Sequence, residues 1–158
     1  MKIKVQEMDP VSFEPYGRYI PMLKDETYMM HSSGDSFEDH MTKEPLIDTQ
    51  GHLGYTIGGS APYIVSSMEK HFHTEEALFC AAEPIVLVVA ASHGDLPPQA
   101  KDIRAFVLHP GEVAVLNRNV WHDACRGLRK NTGYYYLASR GAAPADWITV
   151  DGEAVIEL

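Results

Sequence analysis

Short apolar segments, separated by glycine, proline and small polar residues, recur through most of the chain and limit what it can fold into. Residues 63–68, 85–91 and 103–108 are examples. Apolar runs of about four to eight residues between turn-forming residues are typical of buried strands. The longest run, residues 84–91, is too short to span a bilayer as a helix. Many short strands with turn signals every eight to twelve residues or so predict an all-β sandwich or barrel.

Composition narrows the class of protein further. A chain of 158 residues, 45% of them hydrophobic, is expected to form a single domain over residues 1–158 with its own core. Its net charge of −9 argues against nucleic acid and anionic membranes as partners, but leaves room for a small acidic substrate. The two cysteines imply no disulfide framework, and the first residues lack the long apolar run of a signal peptide. We therefore expect a cytoplasmic protein.

One short helix is predicted near residues 10–16. Asp9 is suited to cap the first turn, and Pro10 is suited to the first helical position. Pro15 and Gly17 keep the helix short. Residues 24–60 show little pattern, and a segment of this kind in a compact domain is often a lid or an interface.

Histidines and glutamates form the most informative cluster. His71 and His73 are two residues apart, so on a strand their side chains would leave the same face. Glu75 and Glu76 follow at once, and His122 comes about fifty residues later at the end of another strand. Imidazoles with a carboxylate suit Zn, Ni, Mn or Fe(II). We predict that His71, His73, Glu76 and His122 bind one divalent metal ion inside the barrel. The alternative is a set of surface or hydrogen-bonded histidines without metal.

Both histidine stretches resemble the two sequence motifs of the cupins. Residues 111–122 resemble the second motif, in which a glycine leads through a turn to a metal-binding histidine, here His122. Residues 71–76 resemble the first motif, His-x-His followed by a glutamate, with a shorter gap that leaves Glu75 as an alternative ligand to Glu76. The resemblance implies a double-stranded β-helix, an antiparallel jelly-roll barrel with its pocket inside.

A more specific resemblance is to the ureidoglycolate lyase family, a branch of the cupins. The Arg-Asn-Val-Trp-His sequence at residues 118–122 is similar to that family's most recognisable phrase, and shorter similar pieces follow the family's order along most of the chain. His73 has no counterpart in the family pattern, and Ser139 stands where the family tends to have an aspartate. The resemblance implies an enzyme that splits ureidoglycolate into glyoxylate and urea, and it favours a homodimer.

A carboxylate substrate needs further groups to bind it and to move its protons. Arg104 and Arg140 lie in strand-like segments and could grip a carboxylate with two hydrogen bonds, although each could equally lie on a solvated face. We assign both to catalysis and substrate binding. Tyr136 could add a hydroxyl to the pocket, or it could simply pack. Whichever of Glu75 and Glu76 does not bind the metal is the candidate general base, and we assign this role to Glu75.

Three hypotheses from different classes follow. The first is a ureidoglycolate lyase-like enzyme with a divalent metal, acting on a small carboxylate as a homodimer. The second is a metal-dependent cupin of another reaction class, an isomerase, epimerase or dioxygenase acting on a small hydroxy acid or sugar, for which His73 is the motive. The third is a cupin that binds a small molecule without catalysis.

Overall fold

The structure is a computed structural model that describes residues 1–141 and 144–158, and it is nearly all β. Besides the helix α1 (Pro10–Phe13) and a 3-10 turn at Ala100–Asp102, fourteen strands run through these residues. They are β1 (Lys2–Glu7), β2 (Gly17–Pro21), β3 (Met29–Ser33), β4 (Glu38–Thr42), β5 (His52–Gly58), β6 (Tyr63–Met68), β7 (Glu76–Cys80), β8 (Ile85–Ala90), β9 (Ile103–Leu108), β10 (Glu112–Leu116), β11 (Trp121–His122), β12 (Arg126–Gly127), β13 (Thr132–Ala138) and β14 (Ile148–Glu157). The all-β prediction is confirmed.

The helix begins as the sequence predicts. The Asp9 carboxylate accepts hydrogen bonds from the backbone N–H groups of Val11 and Ser12, which have no partner within the helix. Helix α1 ends earlier than predicted, at Phe13, two residues before Pro15. Its buried Phe13 packs edge-on against Phe106, with ring centroids 5.4 Å apart, and this contact anchors the helix to the core.

Two sheets form the body of the protein. The first has the strand order β11-β8-β9-β1-β14-β6, with β12 also paired to β8. Backbone bridges from Glu69 to His122 and from Ser60 to Gly127 bring β6 back towards β11 and β12, so this sheet nearly closes into a barrel. The second sheet has the order β2-β10-β7-β13-β5, and β3 and β4 form a separate hairpin.

The strand pairs are antiparallel except at the N-terminal strand. The first half of β1 pairs in parallel with β14, and its second half pairs in parallel with β9. The prediction of an antiparallel jelly roll therefore holds for the other strand pairs, while β1 joins two strands that run in its own direction. Among the described residues, no helix is long and apolar enough to cross a membrane.

Apolar side chains fill three layers. Alternate residues of β8 face opposite ways, and both sets are buried. Leu87 and Phe106 pack between the sheets with Leu116 of the second sheet. Val88 faces the interior of the nearly closed sheet together with Ile156. The third layer covers the outer face of the second sheet over β2 and β10, where Met29 and Ile47 of the long polar segment pack on the sheet.

Candidate metal centre

Backbone hydrogen bonds bring the loop between β6 and β7 against the turn before β11. Glu69 and His122 exchange two of them, with N···O distances of 2.9 and 2.8 Å. The Asn119 N–H donates to the His71 carbonyl oxygen at 2.7 Å, and Asn119 has a φ of 65°, a left-handed conformation that asparagine tolerates better than most residues. These contacts place side chains from two distant parts of the sequence in one cluster.

Four side chains meet there, at the edge of the space between the two sheets. The His71 Nε2 lies 3.0 Å from the Glu76 Oε2, and the His122 Nε2 lies 3.5 Å from the same oxygen. The His122 Nε2 also lies 3.8 Å from the Glu69 Oε1. One ligand atom each from Glu69, His71 and His122 falls within 4.8 Å of the others, which is the spacing of a candidate metal site.

The imidazole of His122 is set up as a metal ligand. Its Nδ1 lies 3.0 Å from the Val120 carbonyl oxygen, and because a carbonyl can only accept, the proton of the neutral ring is on Nδ1. The Nε2 lone pair then points into the cluster, where it is buried and has no partner with hydrogen-bond geometry. A second-sphere carbonyl that fixes the tautomer of a histidine ligand is a common feature of metal sites. The donor set therefore fits a divalent metal ion.

The carboxylates of the cluster differ in their pKa values. Burial by itself raises the pKa of Glu76, but close contacts with His122 and His71 outweigh burial and lower the pKa to about 2. Burial also dominates at Glu69, where it raises the pKa. Burial alone would lower the pKa of His122, but its contact with Glu76 reverses the effect and raises the pKa. Glu76 is thus held as a carboxylate, while Glu69 binds a proton more readily.

His73 lies outside this cluster. Residues 70–75 form a loop and not a strand, so the alternation of faces on which the predicted pairing with His71 was based does not apply. The exposed His73 ring places its Nε2 3.0 Å from the Ser139 carbonyl oxygen. The structure puts Glu69 in the cluster where the sequence interpretation had put His73.

Glu75 is also directed away from the cluster. Its buried carboxylate accepts a hydrogen bond from Arg18 at 2.9 Å and one from the Asp48 backbone N–H at 3.1 Å. Asp48 in turn receives two hydrogen bonds from Arg118 at 2.9 and 2.7 Å. The proposed base Glu75 is therefore an ion-pair partner that ties the loop before β7 to the long polar segment.

The other predicted substrate-binding residues do not join the cluster either. Arg104 aligns with His122 across β8, two strand spacings or about 10 Å away, but it is exposed and donates to the carbonyls of Lys101 and Ile103. Arg140 is exposed as well. Tyr136 is half-buried on the inner face of β13, two residues along the strand from Ala138, which pairs with Glu76. Its role at the pocket stays a prediction.

Glu69 was missed by the interpretation of the sequence. It precedes His71 by two residues, the same spacing that singled out His71 and His73. The two-residue spacing could therefore have identified Glu69 as a site residue. The backbone bridge between Glu69 and His122 extends the strand pairing of β6 as far as Glu69.

Comparison with known proteins gives the family. The model of the family described as ureidoglycolate lyase matches residues 1–150 of this chain. The chain belongs to the ureidoglycolate lyase family. It is thus a member of an enzyme family, and a curated relative, the ureidoglycolate lyase of Salmonella typhimurium (strain LT2), is 25% identical over 126 residues, which cover 77% of this chain and 78% of the relative.

Solved structures show that this lyase family member has the cupin fold. The WlaRB TDP-quinovose 3,4-ketoisomerase from Campylobacter jejuni is similar with a TM-score of 0.52 and 13% identity, covering 77% of this chain and 88% of the other. The RmlC epimerase from Mycobacterium tuberculosis is similar with a TM-score of 0.51 and 11% identity, covering 87% of this chain and 68% of the other. At these identities the likeness concerns the fold alone, and it confirms the predicted cupin barrel.

Proposed function

We propose that this protein cleaves ureidoglycolate into glyoxylate and urea, with a divalent metal ion held by His71, His122 and a glutamate. Membership of the ureidoglycolate lyase family supports the reaction. The observation that carries the metal is the buried His122 Nε2, whose lone pair faces Glu69, Glu76 and His71 without a hydrogen-bond partner.

The charge of the cluster explains why the reaction would use a metal. Glu69 and Glu76 bring two carboxylates, and the ion-pair partners of Glu76 in the described residues are histidines, not lysine or arginine. An anionic substrate would be repelled by these carboxylates. A bound divalent ion would supply the missing positive charge, orient the substrate carboxylate and hydroxyl, and lower the pKa of that hydroxyl.

The protein's own residues would move the proton. Cleavage takes the proton from the substrate hydroxyl, forms the carbonyl of glyoxylate, breaks the carbon–nitrogen bond and returns a proton to the leaving urea nitrogen. One carboxylate can do both transfers, and such general acid–base catalysis is worth about 10²–10⁴-fold in rate. We assign this role to Glu69, because Glu76 is the carboxylate nearer to the imidazoles, at 3.0 Å from His71 and 3.5 Å from His122 against 3.8 Å between Glu69 and His122, and is therefore better placed to share a metal ion with them. Glu76 then remains as the carboxylate ligand beside His71 and His122.

The test is release of urea and glyoxylate from ureidoglycolate by protein stripped with a chelator and reloaded with Zn, Ni, Mn or Fe(II) in turn. We expect activity with at least one ion. Glu69→Gln should keep the metal and lose most of the turnover, whereas Glu76→Gln should lose the metal. Absence of glyoxylate with every ion would refute the proposed reaction.

The proposal also concerns the location of the protein and one alternative function. We place the protein in the cytoplasm, in keeping with the free thiols of Cys80 and Cys125. The epimerase, isomerase or dioxygenase alternative loses its motive, because it was based on His73, which lies outside the cluster.

A further inference from the structure

Two histidines face each other across the hairpin β3–β4. His31 and His40 are nine residues apart in the sequence, and the strand register places them directly opposite each other. Side chains of opposed residues leave the same face of the strand pair with their Cβ atoms about 4.5–5.5 Å apart. The two imidazoles meet there, with ring centroids 4.9 Å apart and Nδ1 atoms 2.6 Å apart. No residue of the candidate metal centre belongs to this hairpin.

The hydrogen bonds of the pair leave a lone pair between the two rings. The His31 Nε2 lies 2.7 Å from the Asp25 carbonyl oxygen, and because a carbonyl can only accept, the proton of the neutral His31 ring is on Nε2. The His31 Nδ1 lone pair then faces His40. Without a metal ion, the His40 Nδ1 must donate its proton to this lone pair, since two lone pairs at that distance would repel. A metal ion that bridges the rings therefore has to displace a single proton.

A carboxylate and a cleft adjoin the two rings. Glu38 precedes His40 by two residues on β4, so both side chains leave the same face. The Glu38 Oε2 lies 3.8 Å from the His40 Nε2, and the Glu38 side chain is 80% exposed, which leaves it free to turn towards an ion. The cleft has a volume of about 330 Å³, enough for water ligands, and it is lined by Leu23, His31, Ser32, Ser33, Glu38 and His40.

The charge of the hairpin favours a cation. Residues 29–42 include Asp35, Glu38 and Asp39 but no lysine or arginine. Lys43, just after β4, donates to the carbonyl oxygens of Glu26 and Thr27 at 2.6 and 3.2 Å and is thereby occupied elsewhere. Negative charge around a site raises the local concentration of cations.

We propose that His31 and His40 bind a divalent transition-metal ion at a second site on the hairpin, with Glu38 and water completing its coordination. Imidazole ligands suit Zn²⁺, Cu²⁺ and Ni²⁺. With Zn–N distances of about 2.0–2.1 Å, a tetrahedral ion holds two nitrogens roughly 3.3 Å apart. The Nδ1 atoms must therefore separate by roughly 0.7 Å, which the exposed His31 side chain allows. Binding there would not depend on the reaction proposed above.

An ion at this site would pin β3 to β4. A two-stranded hairpin is marginally stable by itself, and an ion that binds only the folded hairpin stabilises it by mass action. The same polar segment continues to Asp48, whose backbone N–H donates to Glu75 in the loop before β7. An ion with two imidazole ligands on an exposed surface exchanges readily with solvent. This site should therefore fill when the ion is added and empty on gel filtration, unlike the buried centre around His122.

The experiment is calorimetric titration of Zn²⁺ into the full, untagged chain after stripping with a chelator. His31→Ala and His40→Ala should each bind one ion fewer per chain than the wild type. His122→Ala should still bind one ion, and adding His40→Ala to it should abolish binding. His93→Ala is the matched control, because it removes another exposed histidine that lies beside a carboxylate, and it should leave the number of ions unchanged.

Two further measurements separate metal binding from a merely structural role of the pair. Zn²⁺ should slow amide hydrogen exchange of residues 29–42 in His122→Ala but not in its double variant with His40→Ala. Cu²⁺ bound to His122→Ala should show nitrogen hyperfine coupling from two imidazoles. Equal numbers of ions in the wild type, His31→Ala and His40→Ala would overturn the proposal, as would exchange in the hairpin that Zn²⁺ does not change.

Discussion

The Glu76 carboxylate offers a quantitative test of the cluster in the metal-free protein. The folded state lowers its pKa from the ordinary 4.5 to about 2, because the contacts with His122 and His71 outweigh burial. At about 1.4 kcal/mol for each pKa unit, the folded protein favours the ionised form of the Glu76 carboxyl over its neutral form by about 3 kcal/mol relative to the unfolded chain. Glu76→Gln, which mimics the neutral carboxyl, should therefore lower the free energy of unfolding by about 3 kcal/mol at pH 5, below the ordinary histidine pKa of about 6.5.

The sign and the pH window follow from the same values. A group whose pKa is depressed in the folded state stabilises the protein fully above its unfolded pKa, here 4.5, and this contribution is lost as the pH falls through the folded pKa of about 2. The difference between wild type and Glu76→Gln should thus be fully present at about pH 5, and it should decline towards neutral pH, because Glu76 raises the pKa of His122 and their contact weakens as that imidazole loses its proton. It should shrink to about 1.4 kcal/mol at pH 3, where only the interval between pH 2 and pH 3 remains.

Chemical denaturation in the presence of a chelator measures this difference across the pH range. Glu14→Gln is the matched control, because Glu14 is exposed at the end of α1, and its effect should stay within about 0.5 kcal/mol. A Glu76→Gln effect below 1 kcal/mol or so at pH 5, or one that does not change with pH, would refute the tight Glu76–histidine contacts on which the site is built.

Three further predictions test the site and the core. His122→Ala should remove bound metal and activity together, whereas His93→Ala, which changes an exposed ring beside Asp102, should leave both intact; metal analysis and urea release check this, and loss of activity with full metal occupancy would contradict it. Metal affinity should fall as the pH drops, because protons compete for the imidazoles, and the fall should begin above the ordinary histidine pKa of about 6.5, since the pKa of His122 is raised; titration calorimetry between pH 5 and pH 8 or so would contradict this by showing a flat affinity. Phe13→Ala should cost about 3–5 kcal/mol of unfolding free energy, since its fully buried ring packs on Phe106 between the sheets; a cost under 1 kcal/mol in urea denaturation would mean that α1 is not anchored there.

Local patterns in the sequence determined the parts of this protein that depend on near neighbours. The apolar runs gave their strands because a short segment buried on one or both faces leaves few other structures, as β8 and β9 show. The cap at Asp9 depends only on residues 9–12, and the sequence predicts it correctly because its hydrogen bonds are local. The cupin motifs likewise identified His122, whose strand position fixes the direction of its side chain.

Only the tertiary structure decided which side chains of the loop before β7 face the cluster. In a strand, the direction of each side chain follows from alternation, but residues 70–75 are outside the ladder. Their directions are set by partners far away in the sequence: Asn119 holds the His71 carbonyl, Ser139 lies against His73, and Arg18 pairs with Glu75. No spacing rule within the loop contains these contacts, because each one exists only once strands that are distant in the sequence have come together in the folded protein.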